Sequence, residues 1–275
     1  MTTQSSKGLA SKGLAVVTGA STGIGAIYAD RLAKRGYDLV LVARNEERLR
    51  ALADRLIRET GRSVEPFKAD LGAKADLARL EARLREDARI TLLVNNAGVG
   101  SVASLQQADV DAMEAMIFLN ITALTRLTYA VAPAFAARGS GTIINISSVV
   151  GIAVEVLNGV YSASKSYVLS FGHSLQKDLA DKGVRIQTVL PGATATEFWD
   201  VAGYAAQKTS PITMSAADLV DAALAGLDQG EVVTIPGLQD GEDWTRWEEG
   251  RRALGPKFNN AKPARRYGLE AESGA

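Results

Sequence analysis

From Leu14 to about residue 238, short and continuously apolar runs alternate with longer stretches whose apolar positions recur every three or four residues. The short runs Leu14–Thr18, Asp38–Ala43, Ser63–Lys68, Ile90–Val94, Thr142–Ile146, Val184–Leu190 and Glu231–Ile235 predict strands. Helices are predicted over Gly23–Arg35, in a charged stretch reaching about Thr60 with Gly61 as its stop, and over Lys74–Asp87. Two more cover about Ser104–Arg138, followed by Tyr161–Lys182 (closed by Gly183) and Ala216–Leu227. Strands that are apolar on both faces and alternate with helices imply an α/β fold, a parallel sheet of about seven strands with helices on both sides. With no Pro/Gly/Ser linker or composition break along the alternation, a single domain over 13–240 is expected. A flexible leader at 1–12 and an extension at 241–275 would flank it.

The leader carries a direct duplication, Ser6–Ala10 then Ser11–Ala15, and only the second copy runs into a strand. It has no hydrophobic core before a cleavage site, so a cytoplasmic rather than secreted chain is expected. The most apolar stretch, Ala115–Ala137, is interrupted by Asn120, Arg126 and Pro133, which reads as a buried helix rather than a membrane span.

Composition narrows the chemistry. The 275 residues hold 31 basic and 31 acidic side chains, so no basic excess points to nucleic acid or an anionic membrane. Without cysteine there are no disulfides, thiolate metal sites or thiol nucleophiles. A single histidine, His173, removes sites that need two imidazoles, and no metal is expected. The neutrality is a sum. Arg251, Arg252, Lys257, Lys262, Arg265 and Arg266 face only Glu270 and Glu272 near the C-terminus, which leaves the preceding chain at −4. What remains is chemistry by hydroxyls, amines, carboxylates, amides or a cofactor.

The first strand runs through Thr18-Gly19-Ala20-Ser21-Thr22-Gly23-Ile24-Gly25 straight into a helix. Glycines there allow a tight turn and a close backbone approach to a pyrophosphate resting on the helix N-terminus. The GxxxGxG spacing departs from the GxGxxG dinucleotide fingerprint. At the end of the second strand, where an NAD site carries an acid, the chain has Ala43-Arg44-Asn45. A guanidinium suits a ribose 2′-phosphate in charge and fork geometry, so NADP is expected over NAD, with Glu46 and Glu47 tempering the field. An NAD-linked enzyme in which Arg44 only stacks on adenine is the alternative.

Tyr161 and Lys165 lie four residues apart at a helix start and share one face. A nearby ammonium favours phenolate, and bringing a phenol from about 10 to near 7 takes roughly 4 kcal/mol. Such a tyrosine serves as a general acid and base near neutrality.

With these residues in hand, the chain resembles the short-chain dehydrogenase/reductase family over roughly residues 12–240. Thr18–Gly25 is similar to the family's TGxxxGIG loop, Asp70-Leu71 to its adenine-contacting pair, and Asn95-Asn96-Ala97-Gly98 to its NNAG motif. Asn120 falls where the family has a helical asparagine. Ser148, thirteen residues before Tyr161, matches the catalytic serine better than Ser147 does. Pro191-Gly192, Thr194 and Thr196 resemble the segment closing over the nicotinamide. The resemblance implies a Rossmann-like, doubly wound sheet and an NADP-dependent carbonyl reductase or alcohol dehydrogenase. Its catalytic set would be Asn120, Ser148, Tyr161 and Lys165. Gly19, Ser21, Thr22, Gly23, Ile24, Gly25, Arg44, Asn45, Asp70, Leu71, Asn96, Ala97 and Gly98 would bind the cofactor, together with Tyr161, Lys165 and the 191–196 residues. Tyr161 would protonate the carbonyl oxygen and Ser148 would orient it. Lys165 would hold the ribose and lower the Tyr161 pKa, and Asn120 would position a relay water.

His173, twelve residues beyond Tyr161, sits about 120° around the helix and off the catalytic face. Phe198, Trp199, Val201 and Tyr204 suggest a pocket for an apolar or aromatic substrate, while Trp244 and Trp247 read as ordinary packing. The Asn-x-Ser/Thr matches at Asn120 and Asn145 fall inside predicted elements and are discounted as glycan sites. A homodimer or homotetramer pairing through the long helices is expected. A non-catalytic nucleotide-binding sensor or scaffold would not need the phenol.

Overall fold

Each apolar run becomes a strand of one parallel sheet, in a computed structural model that describes residues 11–269. The leader up to Ala10, and Glu270 and Glu272 of the basic tail, lie outside the described residues. In chain order the elements begin β1 (Leu14–Thr18), α1 (Gly23–Lys34), β2 (Asp38–Ala43), α2 (Glu46–Thr60), β3 (Val64–Lys68) and α3 (Lys74–Glu86). Next come β4 (Ile90–Asn95), α4 (Val110–Ile117), α5 (Leu124–Arg138), β5 (Gly141–Ile146), α6 (Gly159–Leu179) and β6 (Val184–Val189). They close with β7 (Thr194–Ala195), α7 (Phe198–Ala202), β8 (Met214–Ser215), α8 (Ala216–Gln229), β9 (Val233–Thr234) and α9 (Gly241–Leu254).

The sheet runs β3-β2-β1-β4-β5-β6-β9 with every pairing parallel. Alternate strand residues feed opposite layers. Ala15, Val17, Leu39, Leu41, Leu92 and Val94 pack against α1, α2 and α8. Val16, Val40, Val42, Leu93 and Ile143 pack against α3, α5 and α6. This is the doubly wound, Rossmann-like architecture. Its local signals agree: Asn45 caps α2 by accepting from the Arg48 N–H at 3.0 Å, and Gly61 ends it at φ +67.

Four details differ from the sequence reading. Helix begins at Val110, not near Ser104, because Asp109 supplies the cap. α4 and α5 join through a π turn, Phe118–Ala123, that holds Asn120. β9 is short because the Glu231 N–H turns back to the Gly226 carbonyl at 2.9 Å, and Pro236 has no N–H to extend the ladder. β7 and β8 form a separate parallel pair bracketing α7, and two-residue strands leave no periodicity to read.

The described residues of Met1–Gly237 form one compact unit, and those of Leu238–Ala275 a second. In the second, Asp240 caps α9, Trp244 and Trp247 stack with ring centres 4.9 Å apart, and Arg251 pairs with Glu248.

Candidate active site

Strand order reverses between β1 and β4, and the elements that follow them depart to opposite faces, which opens a crevice at the carboxyl ends of the strands. A cavity of about 740 Å³ occupies it, lined by Gly19 and Arg44 and also by Tyr161 and Trp199. The turn after β1 is tied to the turn after β4. Thr18 Oγ1 accepts from the Asn96 and Ala97 N–H groups at 2.9 and 3.0 Å, and Asn96 Nδ2 donates to the Thr18 and Gly19 carbonyls. A Cβ at Gly19 would lie 2.7 Å from Asn96 Nδ2, and its φ of +65 also favours glycine. The Thr22 side chain makes no cap bond to α1, so the N–H groups of the first turn remain available at the cavity wall.

Ser21, Thr22, Gly23, Ile24, Arg44, Asn45, Asp70, Leu71, Asn96, Ala97, Gly98, Pro191, Gly192, Thr194 and Thr196 all line the cavity. Gly25 does not: a Cβ there would lie 2.2 Å from the Gly19 carbonyl oxygen, so its role is to let α1 pack under the loop. Arg44 is exposed and makes no ion pair among the described residues. Sequence reasoning missed Arg48, in the first turn of α2 and also lining the cavity, which pairs with Glu197 at 2.7 Å. Partners 149 residues apart carry no local signal.

Asn158 caps α6 through the Val160 and Tyr161 N–H groups, fixing Tyr161 in its first turn. Lys165 follows one turn later, buried, donating to the Ile146 carbonyl at 2.9 Å and lying 5.7 Å from the Tyr161 ring centre. The two serines separate. Both line the cavity, but Ser147 donates to the Lys165 carbonyl at 2.7 Å, whereas Ser148 gives its proton to the Pro191 carbonyl at 3.2 Å. Asn120 is buried behind the wall rather than on it. It clips the backbone of Val99, accepting from its N–H at 3.0 Å and donating to its carbonyl at 2.9 Å, and it donates to Ser164 Oγ. His173 does not line the cavity. Trp199 does, with its indole N–H on the Thr194 carbonyl at 2.9 Å.

The electrostatics correct one expectation. Burial pushes the Tyr161 phenol above its ordinary value, against the opposing effect of the Ser148 hydroxyl. Burial also drives the Lys165 ammonium from 10.5 to about 8. Desolvation outweighs the pairwise attraction inferred from helical spacing.

Residues 13–205 match the short chain dehydrogenase family model. The chain belongs to that family. It is 36% identical over 223 residues to an uncharacterized oxidoreductase of Staphylococcus saprophyticus, covering 81% of this chain and 94% of that one. Among solved structures, a short-chain dehydrogenase from Sphingobium yanoikuyae in complex with NADPH is 48% identical with a TM-score of 0.90, over 93% of this chain and all of that one. A bulky-bulky ketone specific alcohol dehydrogenase from Comamonas testosteroni is 43% identical with a TM-score of 0.87, over 94% and 99%. The chain is therefore an oxidoreductase of the short-chain dehydrogenase family. The glycine cradle, the uncapped α1 and the joined β1 and β4 turns fit a nicotinamide dinucleotide.

Proposed function

We propose that this short-chain dehydrogenase is a cytoplasmic, NADP(H)-dependent carbonyl reductase, and in reverse a secondary-alcohol dehydrogenase, for ketones with large apolar substituents. The observation that carries the reading is that Ser148, Tyr161 and Lys165 line one cavity together with the glycine loop and Arg44, which makes no ion pair among the described residues. The NADPH and bulky-ketone relatives support it. When bound, the nicotinamide supplies a hydride to the carbonyl carbon, or takes one from the alcohol.

The chain's own groups manage the oxygen. Tyr161, raised by burial, is protonated at neutral pH and donates that proton to the carbonyl oxygen. Ser148 turns its hydroxyl from Pro191, a long bond at 3.2 Å, to the same oxygen. Lys165 has donors to spare beyond Ile146: it holds the ribose hydroxyls and stabilises the phenolate left on Tyr161. Asn120 is a positioning residue. Its remaining Oδ1 lone pair lies near Gly98, which Lys165 Nζ also approaches, and this supports its holding a proton-relay water.

Phe198, Trp199, Val201, Tyr204 and Ile212 give the substrate end its apolar lining. Exposed Tyr129 of α5 stacks on Phe171 of α6 with planes 6° apart, which supports pairing of two copies there.

The test is NADPH oxidation across a ketone panel with Tyr161→Phe as control, the variant being expected to lose about 10²–10⁴-fold in turnover. Activity surviving in Tyr161→Phe overturns the acid. Equal kcat/KM for NADPH and NADH overturns the cofactor preference.

A further inference from the structure

Arg44 is the cation whose position announces a phosphate contact, but it has a neighbour. Arg48 lines the same cavity from the first turn of α2, and its guanidinium is engaged by Glu197, which stands between β7 and α7. Both partners are about half exposed, at 49% each. An exposed single pair of this kind is weak, because water screens it and two long side chains must be held still. A 2′-phosphate carries more charge and offers a guanidinium two or three acceptor oxygens, so it outcompetes one solvated carboxylate.

Resting on the NADP reading above, we propose that Arg48 is a second 2′-phosphate-recognising residue and that Glu197 is its competitor. NADPH draws Arg48 away from Glu197; NADH, which has no 2′-phosphate, leaves the pair intact. Arg48 and Glu197 thereby set part of the discrimination between the two nucleotides. Glu197 lowers the affinity for NADPH by holding the cation that NADPH needs.

The alternative role for the pair is a strap across the cavity mouth, tightening on any nucleotide. The two roles predict opposite signs for one substitution, because a competitor's removal tightens NADPH binding and a strap's removal loosens it.

Equilibrium binding of NADPH and NADH, read by quenching of protein fluorescence without substrate, separates them. Arg48→Met is expected to weaken NADPH about tenfold and leave NADH within twofold, the loss of one charge-assisted contact. Glu197→Gln is expected to tighten NADPH about threefold, within the range of an exposed pair, and to leave NADH unchanged. The double variant is expected to match Arg48→Met alone, since Glu197 acts only through Arg48. Unchanged NADH affinity reports an intact fold in every variant. Weaker or unchanged NADPH binding in Glu197→Gln overturns the proposal, and so does an equal loss of both nucleotides in Arg48→Met. Arg44→Met tells the two claims apart. If it loses NADPH selectively while Arg48→Met does not, the cofactor reading stands and this inference fails; if neither affects NADPH over NADH, the cofactor reading fails.

Discussion

The Lys165 ammonium stands 5.7 Å from the Tyr161 ring centre and spends one donor on the Ile146 carbonyl. Both side chains are buried on one face of α6, and desolvation moves them in opposite directions, the phenol up and the ammonium down to about 8. The site thus holds a neutral acid beside a cation kept charged at some cost.

That cost sets the first prediction. The unfolded chain keeps the lysine proton to about pH 10.5 and the folded chain only to about 8. The penalty is therefore fully present below pH 8 and fades as pH rises toward 10.5, at about 3 kcal/mol when complete. Lys165→Met removes the charge but leaves the Ile146 carbonyl without its donor. It is expected to unfold about 1–2 kcal/mol later in urea at pH 7 while reduction is lost. A lower urea midpoint at pH 7 counts against this balance.

Ketone reduction needs the phenol protonated and the ammonium charged. With Tyr161 raised, Lys165 is the one of the two that titrates near neutrality, so kcat is expected to be flat to about pH 8 and to fall above it. A reduction rate that climbs through pH 8 would contradict the assignment.

The fold was legible because its strands are apolar on both faces and its turns carry glycines at φ +65 and +55, Gly19 and Gly23, which other residues rarely adopt. The wall residues were legible because TGxxxGIG, NNAG and YxxxK each occupy one local stretch. Three things were not. The direction of the Tyr161 shift depends on burial, which spacing does not encode. The Arg48–Glu197 pair joins segments far apart in the chain. The π turn around Asn120 has the same apolar pattern as the α-helices on either side of it.

Asn120 satisfies both backbone groups of Val99 from a fully packed position. Asn120→Leu keeps the volume and strands the Val99 N–H and carbonyl. The expected loss is about 2–4 kcal/mol, seen as a melting temperature lower by about 5–10 °C. An unshifted melting curve would show that Val99 finds other partners.

The Phe198 ring lies 5.6 Å from the Tyr161 ring centre and stands edge-on to Trp199, closing the pocket beside the phenol. Its tip occupies the space over Gly100, where a Cβ would fall 2.3 Å from Cζ. Two substitutions push this ring in opposite ways. Phe198→Ala opens room next to the reacting carbonyl, and kcat/KM for a ketone with two aryl groups is expected to rise about tenfold relative to a methyl ketone. Gly100→Ala displaces the ring into the cavity, and the same ratio is expected to fall by a similar factor. Because neither residue belongs to the phosphate cradle, NADPH affinity should stay unchanged in both. Ratios that moved the same way in the two variants would place the bulky substituent elsewhere.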